Sequence, residues 1–324
     1  MCVSFSIVHS PLAPNQRDRK SVLYCNKVII MKRTIFALGF FDGVHLGHQA
    51  LLAACQRLAA EAGLQTGAVT FTAHPDTLVS GNTPGLINTI EDRIRLLEGF
   101  GMDTVIPLPF DKTLMQTPWE VFLEQLLEQG AAGFVCGDDF RFGFKGEGNA
   151  EKLTAFCKDR GLPWAVVPEQ LFDGVRVSST HIRQLLLSGD MKAATGFLGH
   201  PHILTGKVIR GKQLGRTIGI PTANLTLPEG LICPKKGVYA TKATVKGQEF
   251  TGVTNIGTRP TVSGEGISVE TWLLGYEGDL YGEELQLQFL AFLRPEQKFS
   301  SLEELKAQIQ RDAARAVDKE MHNA

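Results

Sequence analysis

Between Met31 and about Leu187, short apolar runs alternate with stretches in which apolar residues return every three or four positions. Ile35–Leu38 reads as a buried strand, and Leu51, Leu52, Cys55, Leu58 and Ala59 form the stripe of the helix after it. Gln65–Phe71 and Thr104–Ile106 are the next strands, with Ile94–Leu97 in a helix between them. Thr117-Pro118-Trp119-Glu120 predicts a helix start: Thr as N-cap, Pro in the first turn, Glu closing a capping box. Gly133–Cys136 and Trp164–Val167 supply two more strands around a helix at Leu153–Cys157. This alternation predicts a doubly wound parallel sheet, whose ligands bind beyond the carboxyl ends of its strands.

After Pro201 the pattern changes. Ile203–Ile209, Val238–Val245, Phe250–Asn255, Ser268–Leu274 and Leu285–Leu293 are closely spaced strand-like runs separated by turn residues. A helical period returns only at Ser300, where Ser300 and Glu303 suit a capping box and Leu302, Leu305 and Ile309 give a stripe. A small barrel with a C-terminal helix packed on it is the expected architecture. The expected division is a first domain over 31–187, a linker over 188–201 and a second domain over 202–324. Residues 1–30, with the polar run Asn15–Lys20 between two apolar scraps, are expected to be an extension or a misassigned start.

Composition narrows the possible classes. Lys plus Arg is 33 against 34 for Asp plus Glu, a net charge of −1, which argues against a general nucleic-acid binder. No run approaches 18 uninterrupted apolar residues, so no membrane span is expected. Six cysteines at 2, 25, 55, 136, 157 and 233 form no C-x-x-C pair; reduced thiols in a cytoplasmic protein are the natural expectation. Glycine is in excess at 34 residues, about a tenth of the chain against an average near 7%.

Many of these glycines fall where chemistry is expected. After the first strand runs Gly39-Phe40-Phe41-Asp42-Gly43-Val44-His45-Leu46-Gly47-His48, leading into a helix. Glycines let backbone approach a ligand closely, and a helix N-terminus attracts anions. His45 and His48 share one face of the first turn, within reach of one phosphate. Two surface histidines beside a tight turn are the alternative. Phe71-Thr72-Ala73-His74-Pro75 and Gly137-Asp138-Asp139-Phe140-Arg141-Phe142-Gly143 lie at other strand ends. Arg176-Val177-Ser178-Ser179-Thr180-His181-Ile182-Arg183 opens a helix with hydroxyls and guanidinium groups suited to polyphosphate. Singly, these are also a turn, a loop cap and an N-cap; together they line one edge of one sheet.

This set resembles the nucleotidylyltransferase superfamily, specifically the adenylyltransferase module of bacterial bifunctional riboflavin kinase/FAD synthetases. The resemblance implies that His45 and His48 hold the ATP phosphates within the loop of Gly39, Phe41, Asp42, Gly43 and Gly47. Ser179, Thr180 and Arg183 would grip the same polyphosphate from the other side, with Arg176 beside them. His74, Asp138, Asp139 and Phe140 would line the nucleotide and flavin cleft. Phe40 stands where the family often has Asn.

Residues 191–228 carry five Lys/Arg and no acid. Within them Gly206, Gly211, Gly215 and Gly219 space out a basic loop with Lys212 and Arg216, ending in Pro221-Thr222-Ala223-Asn224. The loop lacks the Gly-Lys-Ser/Thr of a Walker motif, and a barrel hairpin would explain it as well. Thr222 and Asn224, two apart on a strand, face one side and offer oxygen ligands for Mg²⁺. Glu270 interrupts an apolar strand: outward it is an ordinary exposed residue, inward a carboxylate placed to take a proton from a hydroxyl.

This half resembles the riboflavin kinase domain over Gly206–Asn224, Gly237–Tyr239, Asn255–Thr261, Glu270, Asp279–Gly282 and Leu293–Glu296. The resemblance implies a six-stranded Greek-key barrel and binding of ATP phosphates by Gly206, Gly211, Lys212, Gly215 and Arg216. It further implies MgATP at Thr222 and Asn224, and Glu270 as the base for the ribityl hydroxyl of riboflavin. Trp272 stands where His is frequent and Gly275 where Asp is frequent. Expected substrates and products are riboflavin, FMN, FAD and ATP, with no nucleic acid or membrane partner and a monomer or weak homo-oligomer. The alternatives are an adenylyltransferase for a pantetheine phosphate or nicotinate mononucleotide, or a non-catalytic flavin or nucleotide sensor.

Overall fold

The computed structural model describes residues 33–74, 85–211, 215, 218–261 and 264–321. The expected extension at 1–30 and the loop residues Lys212 and Arg216 lie outside the described residues. In chain order the first half runs β1 (Thr34–Leu38), α1 (Leu46–Ala62), β2 (Gln65–Phe71), α2 (Ile90–Gly99) and β3 (Thr104–Leu108). It continues through α3 (Lys112–Gln116), α4 (Trp119–Glu128), β4 (Ala131–Gly137), α5 (Ala150–Arg160) and β5 (Trp164–Val167). Alternate residues of β1 face opposite ways, and both faces are covered. Ile35 and Ala37 pack with Leu51, Leu52 and Cys55 of α1, whereas Phe36 and Leu38 pack with Phe122, Leu123 and Leu126 of α4 and Phe156 of α5. The sheet is parallel throughout, ordered β3-β2-β1-β4-β5. Strand order reverses between β1 and β4, the crevice where such sheets hold ligands.

A ribbon of β6 (Leu171–Phe172) and β7 (Val175–Arg176) leads into α6 (Ser179–Ser188) and α7 (Met191–Leu198). The second half then runs β8 (His202–Lys207), β9 (Ala223–Thr226), β10 (Gly237–Val245), β11 (Gln248–Thr261), β12 (Gly264–Leu273), β13 (Glu284–Arg294) and α8 (Leu302–Met321). These strands pair antiparallel in the order β8-β13-β10-β11-β12-β9. A single bridge brings the two edges together, with Ile209 N donating to Asn224 O at 2.8 Å. Inside the curl, hydroxyls of Thr241, Thr254 and Thr271 link three strands at 2.8 and 2.9 Å. On the outer face, Val238, Ala240, Val253 and Leu293 pack beneath Ala313 and Ala316 of α8. The buried Asp312 anchors that helix: Arg294 Nε donates to Asp312 Oδ2 at 2.9 Å.

Three local expectations need correction. Thr117 does not cap α4: it ends α3, its hydroxyl turned back to donate to Thr113 O at 2.9 Å, and Pro118 takes the N-cap position without a side-chain bond. At α8 the N-cap is Ser301, one residue later, with Glu304 N donating to its Oγ at 3.1 Å. The Glu304 carboxylate accepts from Ser300 N and Oγ in return. Residues 188–201, expected as a linker, carry α7, and the two halves are bonded on either side of it. Leu86 N donates to Gly230 O and Ile232 N to Leu86 O, each at 2.8 Å. Thr205 N donates to Asp92 Oδ2 at 3.2 Å, and Arg95 pairs with Glu284. One apolar cluster runs from Ile87, Leu186 and Phe197 to Leu204, Val208 and Phe289, and Met31–Ala324 forms one compact unit.

His202, the first residue of β8, is 4% exposed and packs against Phe289, with its Nδ1 buried and unbonded among the described residues. Burial pushes its pKa down from 6.5 to about 3. Between those values the unfolded chain binds a proton that the folded chain does not, so this group costs stability as pH falls below 6.5. Urea unfolding at pH 7, 6, 5 and 4 is expected to give falling stability. His202→Leu is expected to reduce the slope by about one proton, ~1.4 kcal/mol per pH unit.

Candidate active sites

The first site begins where β1 ends. The backbone turns through left-handed conformations at Phe41 (φ 58°), Gly43 (φ 85°) and Val44 (φ 42°) before α1 starts. Such backbone in Phe and Val persists only where surrounding contacts hold it. His45 is the N-cap of α1: its Nδ1 accepts from His48 N at 3.3 Å, which leaves the ring proton on Nε2. The His45 and His48 rings stack with centroids 3.6 Å apart, and Phe41 supports His48 edge-on. Burial pushes His45 down to about 4 and His48 well below 6.5, so both are neutral donors at pH 7. His48 Nδ1 is buried without a hydrogen-bond partner among the described residues.

These rings line a cleft of about 250 Å³ with Gly39, Phe40, Gly47, Asp138, Asp139, Phe140, Arg176 and Ser179. Strand ends of β1, β4 and β5 meet there. Arg176 spans the rim, its Nη2 donating to Asp139 Oδ2 at 2.6 Å and its Nε lying 2.8 Å from Glu169. Ser178 caps α6, and Ser179 Oγ donates to Asp42 O at 2.9 Å.

Other expected residues do not line this cleft. Asp42 is 1% exposed, and Ile87 N and Asn88 N donate to its Oδ1 at 2.9 and 3.4 Å. Arg183 Nη2 donates to Asp42 Oδ2 at 2.6 Å, and Arg183 Nε donates to Gly85 O. Both residues are therefore engaged in holding the loop rather than offered to phosphate. Phe41 and Gly43 form the turn beneath the histidines, and Thr180 is exposed outside the cleft. His74 packs edge-on against Phe40, and the Arg93 guanidinium stands 4.4 Å above the Phe40 ring. Arg93 is fully buried, donating to Phe71 O at 2.9 Å and lying 3.7 Å from Asp42. Nothing in the sequence separates Arg93 from an exposed helical charge.

The second site lies outside the barrel interior. Val269 and Leu273 point inward, so Glu270 and Trp272 face outward, contrary to the inward placement that a catalytic role suggested. That face is roofed. Glu270 and Trp272 line a cavity of about 260 Å³ with Gly215, Thr222, Asn255, Arg294, Glu296, and Leu305 and Ile309 of α8. Asn224 pairs directly opposite Glu270 in the β9–β12 ladder and so shares its face. Gly211 lies against Asn224: a Cβ there would stand 2.4 Å from Asn224 Oδ1. Gly206 belongs instead to the β8–β13 ladder, opposite Leu285, and does not line the cavity. Gly275 turns the chain after β12 at φ 75°. Asn255 and Arg294 fell within matched segments, but only the fold brings them to Glu270.

Two family models match the chain: FAD synthetase over residues 28–181 and riboflavin kinase over residues 198–319. The bifunctional riboflavin kinase/FMN adenylyltransferase of Haemophilus influenzae is 38% identical over 89% of this chain and 94% of that protein. The Listeria monocytogenes protein of the same name is 35% identical over 86% of this chain and 90% of that protein. A crystal structure described as a macrolide-efflux protein from Streptococcus pneumoniae matches at 30% identity and TM-score 0.77, covering 86% of this chain and 92% of that one. Two family matches in tandem, each over one of the two sites, show that the chain belongs to the bifunctional riboflavin kinase/FMN adenylyltransferase family.

Proposed function

We propose the following division of labour for phosphorylation of riboflavin to FMN and adenylylation of FMN to FAD. In the parallel-sheet half, His45 and His48 donate N–H groups to the ATP polyphosphate beside the Gly47 amide in the first turn of α1. The FMN phosphate attacks the α-phosphorus in line and pyrophosphate leaves, so positioning and charge stabilisation carry the step without a side-chain nucleophile. The observation that supports this reading is the stacked neutral pair at the N-terminus of α1, with a buried, unbonded nitrogen on His48. Ser179, Arg176, Asp138, Asp139 and Phe140 belong to the same cleft.

In the barrel half, Glu270 takes the proton from the ribityl 5′-hydroxyl as its oxygen attacks the γ-phosphorus, and ADP leaves. Thr222 and Asn224 suit Mg²⁺ by donor chemistry, two neutral oxygens completed by substrate phosphates, and the absence of a Cβ at Gly211 leaves Asn224 Oδ1 unobstructed by a side chain there. Bound there, the ion would offset phosphate charge. Cytoplasmic residence fits the thiols of Cys55 and Cys136, buried, unpaired and pushed up to about 11 and about 12. Among the described residues no helix is long and apolar enough to cross a membrane.

His48→Ala is expected to abolish FAD formation while FMN formation persists, and Glu270→Gln to do the reverse when FMN is supplied. Chromatographic separation of riboflavin, FMN and FAD reads both; a folded variant that loses both activities contradicts two separate sites. ATP binding should raise the His45 pKa from about 4. Calorimetry in buffers of different ionisation enthalpy should then show more proton uptake near pH 5.5 than at pH 8. The excess should shrink in His45→Gln.

A further inference from the structure

The chain leaving α7 reaches back to the loop that carries His45. Gln49 spends both side-chain amide hydrogens there: Nε2 donates to Val44 O at 2.9 Å and to Leu198 O at 2.7 Å. His200 stands with Nε2 3.0 Å from Gly43 O and Nδ1 2.8 Å from Pro201 O. Between Leu198 and His200, Gly199 closes α7 at φ 75°. A Cβ at Gly199 would lie 2.7 Å from Leu46 Cδ2 and 2.9 Å from the Gln49 amide nitrogen, so the two backbones meet closely only because this residue is glycine.

The carbonyls so held belong to the strained part of the loop, Gly43 at φ 85° and Val44 at φ 42°. A β-branched residue leaves the left-handed region readily unless fixed from outside. Neither His200 nor Gln49 lines the cleft, whereas His45, the residue after Val44, does. We propose that His200 and Gln49 are positioning residues of the adenylyltransferase reaction, which hold the Gly43–Val44 turn by its carbonyl oxygens and thereby seat His45 and His48 against the ATP phosphates. The proposal rests on the assignment of those two histidines to phosphate. Both ring nitrogens of His200 face carbonyl oxygens and a neutral ring donates to one of them; the proposal requires that one to be Gly43 O, with the proton on Nε2. Without the tethers the turn relaxes toward ordinary backbone, and His45 leaves its cap position and the cleft. The kinase cavity shares no residue with them, so riboflavin phosphorylation by the same chain reports its folding.

The experiment is steady-state kinetics of both reactions in the full chain for His200→Leu, His200→Gln, Gln49→Glu and His48→Ala. His200→Leu and Gln49→Glu, which remove a donor or set a carboxylate against two carbonyls, are expected to raise the adenylylation KM for ATP about tenfold, with a smaller change in kcat and riboflavin phosphorylation unchanged. His200→Gln, which keeps an N–H donor, is expected to stay within about twofold of the parent. An unchanged KM in His200→Leu and Gln49→Glu, or an equal loss of both reactions, overturns the positioning role. Full FAD formation by His48→Ala would instead overturn the phosphate assignment beneath it.

Discussion

The Asp42 carboxylate carries its charge in a place almost without water, and three segments converge on it. The amides of Ile87 and Asn88 come from the chain before α2, Arg183 from α6, and Arg93 from the buried face of α2. Ser179 adds a bond to the Asp42 carbonyl. Removing one partner from such a buried pair typically costs about 3–5 kcal/mol, because the remaining charge is left unpaired. The cluster therefore fixes the route by which the chain leaves β1, turns left-handed and enters α1. The stacked histidines stand on that route. Charge that looked available to a ligand instead builds the floor on which the two histidines rest.

The cavity of the barrel half depends on a different device. A barrel strand alternates between interior and exterior, and the interior here is filled by Tyr239, Ile256, Val269, Phe289 and the threonine hydroxyl chain. Glu270 has no room inside. It becomes a cavity residue because α8 lies over the outer face and Gly215, Ile218 and Thr222, which precede β9, line its other side. The roof is held by one ion pair, Arg294 with Asp312, and by Thr251 against Glu320 at its far end. Both members of the pair line the cavity, so the contact that anchors the helix also shapes the site.

Periodicity made most elements legible. Gln65–Phe71 and Trp164–Val167 have the bounds their apolar runs suggest, and the glycine-rich turn with its two histidines lies at the end of β1 as expected. What periodicity cannot carry is that a distant helix covers the outer side of a strand, so that Glu270, facing outward as alternation allows, is enclosed rather than exposed. Nor does it reveal a buried charge: Asp92 and Arg93 are fully buried, yet in sequence they look like one solvated face. Capping shifted by one residue at both starts: the Thr117 hydroxyl turns back to Thr113 O, and Ser301 rather than Ser300 accepts the Glu304 amide.

The junction has a logic of its own. Residues 182–197 fall between the two family matches, yet they supply Ile182, Leu186, Met191, Ala194 and Phe197 to the apolar cluster shared with the barrel. Burying a large aliphatic or aromatic side chain contributes about 1.5–3 kcal/mol, so this stretch holds far more than a tether's worth of stability. A bridge through Leu86 and the Asp92–Thr205 contact reinforce it from the other side. The boundary between matched families is thus not a boundary in packing. A loop that carries left-handed backbone at Phe41 and Val44 is best held by structure that cannot move away from it. At this junction both Asp42's network and the chain leaving α7 press against the same turn.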